Sequence, residues 1–457
     1  MIGYLSLSQL FAFMPAKLIG TDVEFDRVNT DSRTTGAGDL FIALTGEHFD
    51  GNKFVDVAAR NQASGAIVSE AQTVDIPQLV VRDTVQALGW LGHLNRSKSR
   101  ATVVGITGSQ GKTTVKELTG AILARKFCTL VTRGNLNNNI GAPKMLLEID
   151  ASHERVVIEL GANARGEIAW GTRITDPHIV LLNNAAETHV EGFGGLQGVV
   201  NGKGEIIDSS PSTHTVILNA DDPHFSVWQQ RAGNRRCLSF SGSGAVVADY
   251  RARLIETCSE RSRFELYTPI GAIECELPLP GLHNISNATA AAALAIEAGA
   301  SLVDTKTALA SVHAVYGRLN RMAGIHGSRL IDDSYNASPS SFRAAIEVLQ
   351  QAARSEGLHS VLIAGDMAEL GEMSDQAHHF LGDFAKAEGV NELWVTGKAS
   401  AIVATAFGNG ALHFKDKSSL IAHALQVLSP NHIALVKGSR SAGMDEIVEK
   451  IKNEDRH

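Results

Sequence analysis

The sequence predicts an α/β protein of three successive domains, and three observations carry that reading. Between Ala101 and Ala220, short β-branched runs alternate with helical or loop stretches, the rhythm of strand–helix–strand units on a parallel sheet. One of these runs passes into a helix through a glycine-rich turn, GITGSQGKTT over Gly105 to Thr114. The alternation then restarts near Tyr316 and continues toward the C-terminus. The expected division is a smaller α/β N-terminal domain (1–84), a central parallel-sheet domain with a phosphate-loop ATPase-like layout (85–315) and a Rossmann-like C-terminal domain (316–457).

Taken in order, MIGYLSLSQLFAFMPAK lacks a basic segment ahead of its apolar part. It reads as an amphipathic first helix rather than a secretion signal. GDLFIAL, GAIVSE and PQLVV are short β-like runs around a helix near Asn52 to Gln62. A helix over Val85 to Ser97 leads into the basic, polar stretch NRSKSR, which has the composition of a linker. ATVVGITG is a buried strand by its β-branched content, and Val115, Leu118, Ile122 and Leu123 fall at helical spacing after it. RVVIELGA, HIVLLNNA and THTVILNA are further buried strands. Alternation in RFELYTPIGAIECELPLPG suggests a small antiparallel insertion between Arg236 and Pro280, closed by the helix ATAAAALAIEAGA. RLIDD, HSVLIAGD, ELWVTG and HIALVKG repeat the strand pattern in the third block.

Composition narrows the function classes. The 457 residues carry a formal net charge of −8, which gives no support to general nucleic-acid binding. Cys128, Cys237, Cys258 and Cys275 lie far apart with no C-x-x-C, so reduced, buried thiols and a cytoplasmic location are expected. No apolar run reaches the roughly 20 residues a membrane span requires.

The phosphate loop is short. A G-x-x-x-x-G-K-[ST] pattern would place its first glycine at position 106, which is Ile106. The context still favours phosphate: backbone N–H groups and the helix dipole at Lys112 attract anions, Lys112 adds charge, and a threonine hydroxyl can reach Mg2+. Glu159 closes a buried strand, where a carboxylate without a partner is costly and a bound Mg2+ supplies one. The other reading is a rim glutamate paired with an arginine. His189 follows another strand of the sheet, and Lys203 sits in the helical stretch NGKGEIID. Taken singly they read as an ordinary histidine and a surface lysine. Asn284 and Asn287 share one face at a helix start, and N-capping explains one of them but not both. GRLNRM and LIDDSYNASPSSF contribute Arg318, Asp332, Asp333, Tyr335 and Asn336, with Ser338 placed to cap the next helix. Two α/β blocks with polar rims suggest a cleft that closes over ATP.

These motifs together resemble the Mur ligase family of ATP-dependent amide ligases, whose phosphate loop is the shortened G-x-x-G-K-[ST] seen at Gly108, Ser109, Gln110, Gly111, Lys112 and Thr113, with Thr114 following. DSR…GDLFIALTGEHFDG, GNLNNNIGAP, IELGAN, H-x-EGFG, KGEI, LPLPGLHNISNA, DDSYNASP, GDMAELGE and VKGSRS extend the likeness from Asp31 to Met444. The resemblance implies two substrates besides ATP, UDP-MurNAc-tripeptide and D-Ala-D-Ala, joined through an acyl phosphate. It implies that Ser32, Arg33, Thr45, Gly46, Asp50 and Gly51 bind the UDP-sugar, and that Asn135 and Asn138 lie near its peptide end. Lys112 would hold the β- and γ-phosphates, with Thr113 and Glu159 on one Mg2+. His189 and Lys203, the latter as a carbamate, would serve a second metal. Asn284, Asn287, Arg318 and Asp332 would surround the nucleotide, and Asn336, Ser338, Lys437 and Arg440 the incoming dipeptide. A sister ligase that adds the third amino acid shares the DSR and phosphate-loop motifs, but it usually carries a D-N-P-R segment, absent here. Folate polyglutamylating ligases share the core without the N-terminal motif. From another class, a phosphate-loop ATPase switch remains open on the residues alone.

Overall fold

The computed structural model describes residues 1–46, 49–258, 261–312 and 317–453. The 315/316 boundary expected from the sequence, and Glu47 and His48 of the GEHFDG motif, lie outside them. Three main sheets follow one another along the chain. The first has the order Ala16–Ile19, Gln78–Val81, Gly65–Val68, Asp39–Ile42, Arg27–Asn29, parallel except for its Ala16–Ile19 edge. The N-terminal segment is not the expected amphipathic helix. It forms a 3₁₀ helix, Leu7–Ala12, that buries Leu7 and Leu10, with Ser6 and Gln9 closing a capping box. Pro15, three residues beyond, prevents helical continuation.

The central sheet orders Thr129–Val131, Arg155–Glu159, Thr102–Thr107, Ile179–Leu182, Thr215–Asn219, Arg236–Ser241, Tyr250–Thr257, Ser262–Thr268 and Gly271–Leu277. Pairing is parallel through Tyr250–Thr257 and antiparallel for the last two strands. The segment after Arg236 is therefore not an insertion but the edge of the same sheet. Arg236–Ser241 is itself a parallel strand, with Ile217 paired to Leu238. Strands such as Thr215–Asn219 are buried at every position, as parallel strands covered on both faces must be. On one face pack the helices Lys112–Leu123 and Leu282–Glu297. The second presents Ala288 and Ala290 through Ala293 to a core with Val115, Leu118 and Ile122. Small side chains let the two helix backbones approach closely. The other face is covered by the helices Gly141–Leu147, Glu167–Thr175 and Leu196–Gly204, around Met145, Ile168, Ile174 and Val199.

The polar stretch NRSKSR is not a free linker. Its first two residues end the helix Thr84–Ser97 with buried side chains. Asn95 donates to Leu146 O at 2.8 Å and Ile149 O at 2.9 Å. Arg96 donates to Thr175 O at 3.1 Å and Asp176 O at 2.9 Å. These residues supply donors to helix-end carbonyls that lack intrahelical partners. The same helix lays Ala87, Leu88 and Leu91 against the first sheet's core, so it joins two layers.

The C-terminal sheet orders Asn320–Ala323, Arg329–Asp333, His432–Lys437, His359–Gly365, Glu392–Thr396 and Ala411–Phe414. Only the first pair is antiparallel. All four cysteines are free, but only Cys275 is buried, while Cys128 is exposed. Among the described residues no helix is long and apolar enough to cross a membrane.

Candidate active site

A cleft of about 1060 Å³ opens where the carboxyl ends of the central and C-terminal strands meet. Ligands of open α/β sheets lie at this rim. The loop after Thr102–Thr107 carries Gly108 to Gly111 into the start of the helix Lys112–Leu123. Gly111 there has φ +74°, and a Cβ on it would lie 2.3 Å from Asn287 Oδ1 and 2.5 Å from Asn183 Nδ2, so only glycine fits. Asn183 Nδ2 donates to Gln110 O at 2.9 Å and to Asn287 Oδ1 at 3.2 Å, and Gln110 N donates to Asn184 Oδ1 at 2.8 Å. Two further elements thus clamp the loop, and Asn287 is fixed as one of its supports. Neither Asn284 nor Asn287 is the N-cap of Leu282–Glu297. Gly281 is, and Asn284 Nδ2 donates back to Pro280 O at 2.7 Å.

Lys112 folds over its own loop, donating to Gly108 O at 2.8 Å and Ser109 O at 3.3 Å. Burial lowers the pKa of its amine, Glu159 opposes the shift, and the Arg318 charge adds to it. Thr113 Oγ1 donates to Glu159 Oε1 at 3.3 Å and accepts from Arg318 Nη2 at 2.9 Å, so the C-terminal part of the chain reaches the helix start directly. Asn137 Nδ2 also donates to Glu159 Oε1, at 2.7 Å. Glu159 Oε2 is buried with no hydrogen-bond partner among the described residues. Its nearest cation is the fully buried Lys116, whose Nζ stands 3.9 Å away. A buried carboxylate oxygen left open beside a threonine hydroxyl fits a hard divalent cation.

His189 adopts a left-handed conformation, φ +54°, and its Nδ1 lies against the Glu369 carboxylate from the C-terminal half. Burial lowers the His189 pKa, and Glu369 opposes that. Lys203 is buried behind this region, and its Nζ donates to Ala162 O at 3.3 Å. Burial, with the Lys112 charge, pushes its amine well below the usual lysine range.

From the opposite wall, Ser338 caps the helix Pro339–Glu356 and accepts from Gln110 Nε2 at 2.9 Å. Lys437 Nζ donates to Asp333 Oδ2 at 2.5 Å and Asn336 O at 3.0 Å. Burial raises the Asp333 pKa, and Lys437 holds it down.

Of the residues expected from the sequence, Ser109, Gln110, Gly111, Lys112, Thr114, Asn135, Asn138, Glu159, His189, Asn284, Asn287, Arg318, Asn336, Ser338 and Lys437 line this cleft. Gly108 and Thr113 are outside the lining but bond to it, Gly108 O accepting from Lys112 and Thr113 Oγ1 donating to Glu159. Asp332 lies beneath the wall, accepting from Gly317 N at 3.0 Å and Ser334 Oγ at 2.6 Å, while its neighbour Asp333 reaches the cleft. Arg440 is outside the lining, paired with Asp445 at 3.1 Å, while its guanidinium lies 6.0 Å from the ring of Tyr335, which does line the cleft. Ser32, Arg33, Thr45, Gly46, Asp50 and Gly51 stand apart from the cleft. Arg33 pairs with Asp31 at 2.6 Å, and Asp50 caps the turn at Asn52. Sequence reading missed Lys116, Asn137, Asn183, Asn184 and Glu369. Asn183 and Asn184 had a signal, an amide pair closing an apolar strand beside the phosphate-loop strand.

The shortened phosphate loop, the buried Glu159 and a second α/β sheet facing both define a ligase of the Mur type. Residues 24–96, 106–295 and 317–440 match, in turn, the Mur ligase family catalytic domain, the Mur ligase middle domain and the Mur ligase glutamate ligase domain, and the chain belongs to the Mur ligase family. It is 44% identical to the UDP-N-acetylmuramoyl-tripeptide--D-alanyl-D-alanine ligase of Escherichia coli over 98% of each chain. To the enzyme of the same name from Haemophilus influenzae it is 38% identical, again over 98% of each. Among solved structures, MurF from Acinetobacter baumannii superposes with a TM-score of 0.90 at 35% identity over 98% of each chain. MurF ligase from Thermotoga maritima in complex with ADP gives 0.82 at 26% identity, covering 93% of this chain and 96% of that one.

Proposed function

We propose that this chain is an ATP-dependent amide ligase of peptidoglycan synthesis, joining D-Ala-D-Ala to the terminal carboxylate of UDP-MurNAc-tripeptide through an acyl phosphate. The observation that carries the reading is the cleft itself, where the short loop at Lys112 faces Asn336, Ser338 and Lys437 across Gln110. Full-length identity to ligases of that name supports the choice of substrates.

The residues take the following parts. With phosphates present, Lys112 leaves its loop carbonyls for the β- and γ-oxygens, and the loop's N–H groups meet the same charge. Asn284, Asn287 and Arg318 surround the nucleotide, and Asp332 supports them from beneath by holding the backbone at Gly317. Thr113 and Glu159 would hold one Mg2+. His189 would hold a second with Lys203 as a carbamate, formed when the lysine amine adds CO2 and loses a proton. When bound, the metal offsets charge gathering on the transferring phosphoryl group. The tripeptide carboxylate oxygen bonds to the γ-phosphorus as ADP departs. The dipeptide amine then attacks the acyl carbon, phosphate leaves with that oxygen, and the amine sheds a proton. Asn336, Ser338, Lys437 and Arg440 orient the dipeptide. Asn135 and Asn138 place the peptide end of the precursor, whose UDP-sugar rests on Ser32, Arg33, Thr45, Gly46, Asp50 and Gly51. The division at 1–84, 85–315 and 316–457 follows these parts, and the enzyme works in the cytoplasm, where its nucleotide substrates are made.

The test is substrate choice. Supplied with ATP and Mg2+, the protein should convert UDP-MurNAc-tripeptide plus D-Ala-D-Ala to a product heavier by the dipeptide less water. Product from UDP-MurNAc-dipeptide and a free amino acid instead would assign it to the sister activity.

A further inference from the structure

Far from the cleft, the C-terminal sheet gathers three donor side chains at the amino ends of its strands. His432, His359 and Glu392 each begin a strand, His432–Lys437, His359–Gly365 and Glu392–Thr396, and these strands are adjacent in that order. Parallel pairing sets His359 beside His432, and the two rings meet edge to face with centroids 5.4 Å apart. One ligand atom from each of the three residues lies within 4.8 Å of the other two. Lys437, at the other end of its strand, is roughly 16 Å away by strand rise, so the triad shares nothing with the cleft.

The surroundings differ from those of a simple surface ion pair. Glu392 Oε1 faces His359 Nε2 at 3.0 Å, while its Oε2 accepts from the indole of the buried Trp394 at 2.9 Å. His432 Nδ1 accepts from Ser429 N at 3.2 Å and lies 2.8 Å from Ser429 Oγ, so the ring is oriented from the Ser429 side, and ligation through Nε2 takes the tautomer whose Nδ1–H donates to that Oγ. Carboxylate and imidazole are therefore each held from behind, as the outer partners of metal ligands hold them. Two imidazoles and one carboxylate suit Zn2+, Co2+ or Ni2+, whereas Mg2+ selects oxygen ligands.

We propose that His359, Glu392 and His432 form a three-ligand site for a borderline divalent transition metal such as Zn2+, with water completing the coordination. Ion binding there ties three strand starts together and stabilises the C-terminal sheet by mass action. The experiment is calorimetric titration of Zn2+ into the untagged, chelator-treated full chain, in saturating Mg2+ so that oxygen-ligand sites stay filled. One equivalent should bind, Co2+ should give the visible d–d absorption of a four- or five-coordinate site, and Zn2+ should raise the melting temperature. His359→Gln and His432→Gln should each abolish these effects, and Ser429→Ala should weaken binding about tenfold. All three should keep wild-type ligase turnover. No Zn2+ binding in Mg2+, or binding unchanged in both glutamine variants, overturns the proposal. If a histidine variant melts low before metal is added, Ser429→Ala with the Co2+ spectrum decides: an unaltered affinity counts against the site.

Discussion

Replacing Gly111 with alanine tests the loop geometry on which the site depends. Gly111 has φ +74°, and an L-residue held in that region costs about 1–2 kcal/mol. The new methyl would also lie 2.3 Å from Asn287 Oδ1 and 2.5 Å from Asn183 Nδ2, forcing that pair aside. Two hydrogen bonds meet there, Asn183 Nδ2 to Gln110 O and to Asn287 Oδ1, each worth about 1 kcal/mol. The sum is about 3–4 kcal/mol against the loop shape that presents Lys112. If turnover requires that shape, kcat/KM for ATP falls by about two orders of magnitude or more, at about 1.4 kcal/mol per tenfold. Gly389→Ala is the control, since Gly389 has φ +84° with nothing within 4 Å of a new Cβ. It carries the backbone cost alone, far from the cleft, and should leave kcat/KM unchanged. Steady-state kinetics with ATP varied reads both. A Gly111→Ala enzyme within about threefold of wild type would refute the claim that the asparagine clamp sets the phosphate loop.

Other expectations follow from the same cleft. Lys203→Ala and the volume-keeping Lys203→Met should each lower turnover by about 10²–10³-fold with circular dichroism unchanged; near-wild-type turnover in both removes the metal role. Lys437→Met leaves Asp333 buried without its cation, which costs about 3–5 kcal/mol and should lower the melting temperature. Adding Asp333→Asn to the same chain should recover part of that loss, and no recovery would show that the pair is not what Lys437 stabilises. Burial holds the His283 imidazole down at about 4 against 6.5. Below pH 6.5 the unfolded chain therefore binds a proton that the folded chain refuses, and stability falls as pH drops toward 4. His283→Gln should flatten the melting temperature across that window without ATP, and an identical pH slope in both proteins contradicts the assignment.

Much of the site was legible because its chemistry lies in local patterns. The Gly108-to-Thr113 spacing, a carboxylate ending an apolar strand, and a serine before Pro339 all announce themselves within a few residues. The parallel strands were legible for the same reason, as continuous β-branched runs. What escaped depends on pairing or long-range contact. Whether Arg236–Ser241 extends a sheet or starts an insertion is decided by its partner Thr215–Asn219, which local alternation does not reveal. Asn95 and Arg96 looked like linker residues because polarity was visible and the Leu146 and Thr175 carbonyls they satisfy were not. Asn137, rather than its neighbours in GNLNN, reaches Glu159, since the loop's path chooses among three similar amides. Lys116 reads as one more charge on a helix until the sheet buries it beside Glu159.

The most direct measurement follows ATP consumption and product mass together while each substrate is omitted in turn. The account predicts little phosphate release without both UDP-MurNAc-tripeptide and D-Ala-D-Ala, and one phosphate per pentapeptide when both are present. Vigorous ATP hydrolysis with either one missing, and no pentapeptide by mass spectrometry, would contradict it.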